Sequence, residues 1–99
     1  MDLKINEVYT FKLNSGEEVI GKVTAIGDRY VELNEPLSVA PGPQGLGLIG
    51  SVFTSEPSVP VKLNINSVTM YTDTEDGIKV KYIETVTGLQ VPSKKLILG

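Results

Sequence analysis

The side chains able to do chemistry are few in this chain of 99 residues, and their types narrow what the chemistry can be. Cys and His are both absent, which removes disulfides, thiolate nucleophiles, the commonest metal ligand and the side chain that most readily moves protons near neutrality. A nucleophile would have to be a Ser or Thr activated by Lys or a carboxylate, and neither a Gly-x-Ser-x-Gly elbow nor a Ser-x-x-Lys pair stands in a suitable context. The acidic run Asp73-Thr74-Glu75-Asp76-Gly77 has the look of a cation loop but lacks the spaced ligands and closing Glu of an EF-hand. It reads as a solvated hairpin turn. The Gly-rich run Pro41-Gly42-Pro43-Gln44-Gly45-Leu46-Gly47 has no following Lys-Ser or Lys-Thr and no helix to offer a phosphate. No catalysis, cofactor or metal site is expected.

What remains is binding by polar and basic side chains at turns. Arg29 precedes Tyr30 in one turn, Asn64 and Asn66 are able to hydrogen-bond a base edge, and Lys79, Lys81, Lys94 and Lys95 cluster in the last quarter as the material for one positive patch. Against them stands the total of 9 Lys plus Arg and 12 Asp plus Glu, a net charge of −3. No global positive field steers a polyanion toward this chain. The first residues, Met1-Asp2-Leu3-Lys4-Ile5, lack the basic start and apolar run of a signal peptide, and no segment reaches the ~20 apolar residues of a membrane span. The expectation is a soluble, cytoplasmic, single-domain protein with no membrane role.

Strands must position these residues. Val8 to Leu13 alternates, with Tyr9, Phe11 and Leu13 on the face better suited to a core and Val8, Thr10 and Lys12 on the other. Asn14-Ser15-Gly16 supplies the positive-φ position a tight hairpin needs. The next run, Glu17 to Ile26, is interrupted by Gly21, where a missing side chain permits a bend or the close approach of another strand. Ile26-Gly27-Asp28-Arg29 forms the following turn, and Tyr30 to Leu33 returns until Asn34-Glu35-Pro36 breaks the pairing. Residues 40–60, rich in Pro and Gly, are expected to be a long loop outside the barrel, with a short strand extension at Ser51 to Thr54. Val61 to Ile65 and Val68 to Thr72 form a strand pair or one strand bent around Asn66-Ser67. Ile78, Val80 and Tyr82 alternate with Lys79 and Lys81, which reads as a further strand, and Leu89 to Val91 with Lys95 to Leu98 add terminal ones. No run carries a helical period.

The run from Val8 to Leu33 resembles the first motif of the Sm/LSm family. Gly16 stands at the family's Gly after strand one, Gly21-Lys22 at its Gly-Lys within strand two, and Leu13 and Leu33 at its apolar positions. With one extra residue near Gly27, Asp28 falls on the family's Asp, Tyr30 on the residue that stacks on a base, and Glu32 on the base-reading Asn. The second motif, Arg-Gly-Asp or Arg-Gly-Asn, falls on Asn64-Ile65-Asn66, and Val68-Thr69-Met70-Tyr71 matches the apolar fifth strand. The resemblance implies a small, strongly bent, five-stranded antiparallel barrel of the SH3-like kind. It also implies a homo-oligomeric ring that binds single-stranded RNA, or DNA, through Asp28, Arg29, Tyr30, Glu32, Asn64 and Asn66. Two positions depart from the pattern. A carboxylate at Glu32 cannot reproduce an amide's paired donor and acceptor and repels phosphate, and losing the second motif's Arg removes a cation and a stacking plane. The competing expectation is a structural or interaction module, SH3-like or OB-like, with no nucleic-acid role, because any small barrel needs Gly at its bends.

Overall fold

The computed structural model describes residues 1–87. The expected terminal strands at 89–98, with Lys94 and Lys95, lie outside the described residues. Six strands, β1 (Val8–Leu13), β2 (Glu18–Ile26), β3 (Tyr30–Gly42), β4 (Gly45–Gly50), β5 (Val61–Asn64) and β6 (Val68–Asp73), are followed by one helix, α1 (Asp76–Val86). All strand pairs are antiparallel, in the order β4-β3-β2-β1-β6, with β5 also on β3. The expected all-β sheet is present, with six strands rather than five and without full closure among the described residues.

The first hairpin forms as its residues dictate. Gly16 takes φ +93°, its N–H reaches the Leu13 carbonyl at 2.9 Å, and the Leu13 N–H reaches Glu17 at 2.8 Å. Gly21 serves the close approach its type suggests: a Cβ there would lie 3.1 Å from Cδ1 of Leu33. Tyr9, Phe11, Val19, Val23, Val31 and Leu33 form the inner core, with Leu3, Leu13, Leu63, Ile65 and Val68 packed around it. Phe11, Val23 and Val31 are fully buried, which is the face assignment the alternation of the first strand indicates. The predicted bent strand at 61–72 is also present, because a 3-10 turn over Ile65–Ser67 joins β5 on β3 to β6 on β1. The sheet thereby curls until β5 and β6, paired to opposite sides of it, are separated by only three residues in sequence.

At Asn34-Glu35-Pro36 the pairing does not end. Lys22 pairs with Asn34 and Ile20 with Leu37, so β3 carries one extra residue there, a bulge with Glu35 at φ 45°. The extra residue inverts the alternation: Val31 and Leu33 face the inner core, whereas Leu37 and Val39 face the opposite side of the sheet. Strand β3 then runs on to Gly42 and pairs with β4, so residues 40–50 are a regular hairpin rather than a loop. Pro41 is compatible with this because its missing N–H points away from β4, past the last β2–β3 pair. Gly45, at φ +110°, makes the reversal. Residues 51–60 carry no strand, Ser51 to Thr54 included.

The predicted strand at 78–83 is instead part of the helix α1, and Asp73 to Gly77 is the end of β6 and the start of that helix rather than a solvated hairpin turn. Thr74 is buried and its hydroxyl meets that of Thr10 at 2.9 Å. Glu75 caps the helix by accepting from the N–H groups of Gly77 and Ile78. Ile78, Tyr82 and Val86 recur every four residues and cover Val8, Ile20 and Leu37 with Val39 and Leu48, a second core on the outer face of the sheet. Val80, expected to face inward, is exposed. Tyr82 is 1% exposed and its hydroxyl reaches the bulge. It donates to the Asn34 carbonyl and accepts from the Lys22 N–H at 3.1 Å. Burial pushes its ionisation up to about 12, with the Lys22 N–H working against this and the Glu35 charge adding to it.

Candidate nucleic-acid interface

The β2–β3 turn is closed by the Gly27 N–H on the Tyr30 carbonyl at 2.9 Å, which leaves Asp28 and Arg29 exposed at its tip. Strand β5 lies beside the start of β3, with Tyr30 opposite Asn64 and Glu32 opposite Lys62. One step further, the Ile65 N–H donates to the Arg29 carbonyl at 3.0 Å. The two segments singled out in the sequence, 28–32 and 64–66, are therefore bonded neighbours although more than thirty positions separate them in the chain. Because Val31 and Leu33 point into the core, Tyr30 and Glu32 point out.

Tyr30 is half-buried. Its ring fills the space beside Gly27, where an added Cβ would sit 2.4 Å from the ring's Cε2, so Gly27 is a close-approach position. The Lys62 ammonium stands over the ring, 5.1 Å from its centroid, a cation–π pair worth about 0.5–1 kcal/mol at an exposed site. Lys62 is the functional candidate that sequence reasoning missed. The signal was available in the period of two: Lys62 and Asn64 share a strand face, and pairing that face with Tyr30 places a cation beside the aromatic.

The remaining candidates are partly held by local structure. Asn64 Oδ1 accepts from the Asn66 N–H at 2.9 Å, capping the 3-10 turn, so its acceptor is engaged. The Asn66 carbonyl takes the Asn14 side-chain amide at 2.8 Å, which ties the 3-10 turn to the β1–β2 hairpin. Asn66 itself is exposed. Glu32 is half-buried and its carboxylate accepts from the Thr24 hydroxyl at 3.1 Å. Tyr30, Lys62 and Asn64 thus form one group on paired strands, with Glu32 beside them and Asp28 and Arg29 exposed at the adjoining turn tip. Lys79 and Lys81 ride on α1, not on this rim. Among the described residues no group of three or more His, Cys, Asp or Glu is placed to hold a metal ion, and no helix is long and apolar enough to cross a membrane.

The fold and its rim define a class, a strongly bent antiparallel sheet that offers an aromatic and two cations beside a tight turn. No family model matches the chain, and no curated protein matches it.

Proposed function

We propose that this protein is a cytoplasmic, Sm-like module that assembles into a homo-oligomeric ring and binds single-stranded RNA or DNA at the rim around Tyr30. The observation that supports it best is the meeting of the β2–β3 turn with the end of β5, which brings Tyr30, Lys62 and Asn64 together next to the turn that carries Arg29. A ring of such rims would stack bases on aromatic faces, with cations tracking the backbone, and would multiply weak sites by avidity. That would offset the net charge of −3. The outer edges of β5 and β6 have no strand partner among the described residues, and Met70 on β6 is 61% exposed. Edge pairing of β5 in one subunit with β6 in the next is head-to-tail, and such contacts close into rings where the rotation between subunits closes.

Short homopolymer RNA and DNA, titrated at low and moderate salt beside a measurement of solution mass, test the reading. The expected result is an assembly of several subunits whose binding weakens with salt, and Met70→Asp should shift it toward monomer. A wild-type monomer at micromolar concentration removes the ring. A stable ring that binds neither polymer at low salt leaves the second reading, a structural or interaction module. The Asn64 cap and the Thr24 contact of Glu32 support that alternative, since both give these side chains a structural task.

A further inference from the structure

The extension of β3 and the strand β4 create a third edge that the ring does not use. Among the described residues, strand β4 pairs only with β3. The register fixes which backbone groups it leaves free. Ser51 donates to the Pro36 carbonyl at 3.2 Å, and Pro41, which has no N–H, stands opposite Leu46. The odd residues Gly45, Gly47, Ile49 and Ser51 therefore bond toward β3, and the N–H and C=O groups of Leu46 and Leu48 point to the open side. Two devices that ordinarily blunt an edge, charge and proline, are missing from it. Gly45-Leu46-Gly47-Leu48-Ile49-Gly50 contains no charge and no Pro, and Leu46 is 60% exposed.

We propose that β4 is a self-association edge, on which the β4 of a second copy of this chain pairs antiparallel about a two-fold axis through Gly47. The free groups allow this register, because Leu46 and the second copy's Leu48 then exchange both backbone hydrogen bonds, twice over by symmetry. The side chains fit it as well. Leu46 meets Leu48 on the face that carries Val39 and Ile78, Gly45 meets Ile49 on the other, and Gly47 meets Gly47 where the strands approach most closely. An uncharged edge of this pattern is complementary to itself. Its partner is thus a second copy.

A six-residue edge is small beside the roughly 1,200–2,000 Å² of a stable interface, so a covalent trap reads it better than mass alone. The chain has no Cys, so one introduced thiol is unambiguous. Gly47→Cys is sterically open, since the nearest atom to an added Cβ is the Ala40 carbonyl oxygen at 3.6 Å. Opposed residues at such a site lie about 4.5 Å apart between Cα atoms, within disulfide range. Under mild oxidation with oxidised glutathione at micromolar protein, Gly47→Cys should dimerise at least tenfold faster than Ser15→Cys, an exposed control on the β1–β2 turn. Adding Leu46→Lys, or separately Leu46→Pro, which removes only an outward N–H, should return Gly47→Cys to the control rate with an unchanged circular dichroism spectrum. Equal rates at positions 47 and 15, or a rate at 47 that a folded Leu46→Lys variant leaves unaltered, would overturn the proposal. Neither readout depends on nucleic-acid binding or on the ring.

Discussion

Tyr30 and Tyr82 sit on a strand and a helix respectively, and the difference between their surroundings separates what holds the molecule together from what it presents. Tyr82 is buried and its hydroxyl completes the backbone hydrogen bonds that the β3 bulge disturbs. Tyr30 is half-buried at an open turn, its ring packed beside Gly27 and under the Lys62 ammonium. A buried polar group with two matched partners is structural, because removing it strands a donor and an acceptor away from water. An aromatic ring at an exposed turn, under a flexible cationic side chain, is the kind of surface the proposed function requires.

The largest effect that sharpens this contrast should come from Tyr82→Ala. Deleting a large buried ring from a core typically costs about 3–5 kcal/mol. Urea unfolding should show a loss of that size at Tyr82, whereas Tyr30→Ala should lose far less. Comparable losses at the two positions would break the comparison.

Tyr82→Phe should cost about 1–3 kcal/mol, the usual penalty for leaving buried partners unsatisfied, here the Lys22 N–H and the Asn34 carbonyl. The pH dependence gives this a second readout. The native hydroxyl ionises near 12 and the unfolded one near 10, so the native state holds its proton more tightly. Stability from this group is complete below pH ~10 and falls as the pH rises from ~10 through ~12. Tyr82→Phe should lack that component of the alkaline decline, measured as the wild-type minus variant difference in unfolding free energy across pH ~9–12. A difference that stays flat over this window would deny the hydroxyl its role.

How much of this was legible in the residues follows from which period each segment obeys. Tyr9 and Phe11 against Thr10 and Lys12 obey only the period of two, and Gly16 and Gly21 mark a turn and a close approach that the backbone then makes. Ile78 and Tyr82 fit periods of two and of four alike, and the intervening Val80 favoured the strand. The outer apolar face of Val8, Ile20 and Leu37 decided for the helix, and that face is completed only because the bulge at Glu35 turns Leu37 outward. A non-local cause of this kind leaves no trace in a local window. The hairpin at 40–50 was hidden for a related reason, since Pro41 is tolerated only where its nitrogen faces no partner. At the rim, Tyr30 and Arg29 were legible from their turn, but Lys62 required the β3–β5 register.

Binding tests the other half of the comparison. Under the proposed function, Tyr30→Ala should weaken binding by about 1–3 kcal/mol per stacked base while leaving the fold intact. Arg29→Ala and Lys62→Met should each flatten the dependence of affinity on salt, by roughly 0.7 in the log–log slope for each single-strand phosphate that the variant no longer neutralises. Fluorescence titration of a short labelled homopolymer at several salt concentrations measures both. A slope unchanged in Arg29→Ala and Lys62→Met alike would show that neither cation neutralises the nucleic-acid backbone.

The smallest expected effect distinguishes charge from base reading at Glu32. Its carboxylate opposes phosphate, and it is also held by the Thr24 hydroxyl at 3.1 Å. Glu32→Gln keeps the length and this hydrogen bond while removing the charge, whereas Glu32→Asn removes the charge and shortens the side chain by one methylene, withdrawing it from Thr24. If repulsion alone limits binding, both variants should tighten it by a similar, severalfold factor. If an amide at this place can also read a base, Asn should exceed Gln and should favour uridine over the other homopolymers, because a released amide offers its donor and acceptor together. A parallel titration of the three proteins against the four RNA homopolymers separates the cases, and no change in either variant would place Glu32 outside the ligand's reach, as a strand residue whose work is its bond to Thr24.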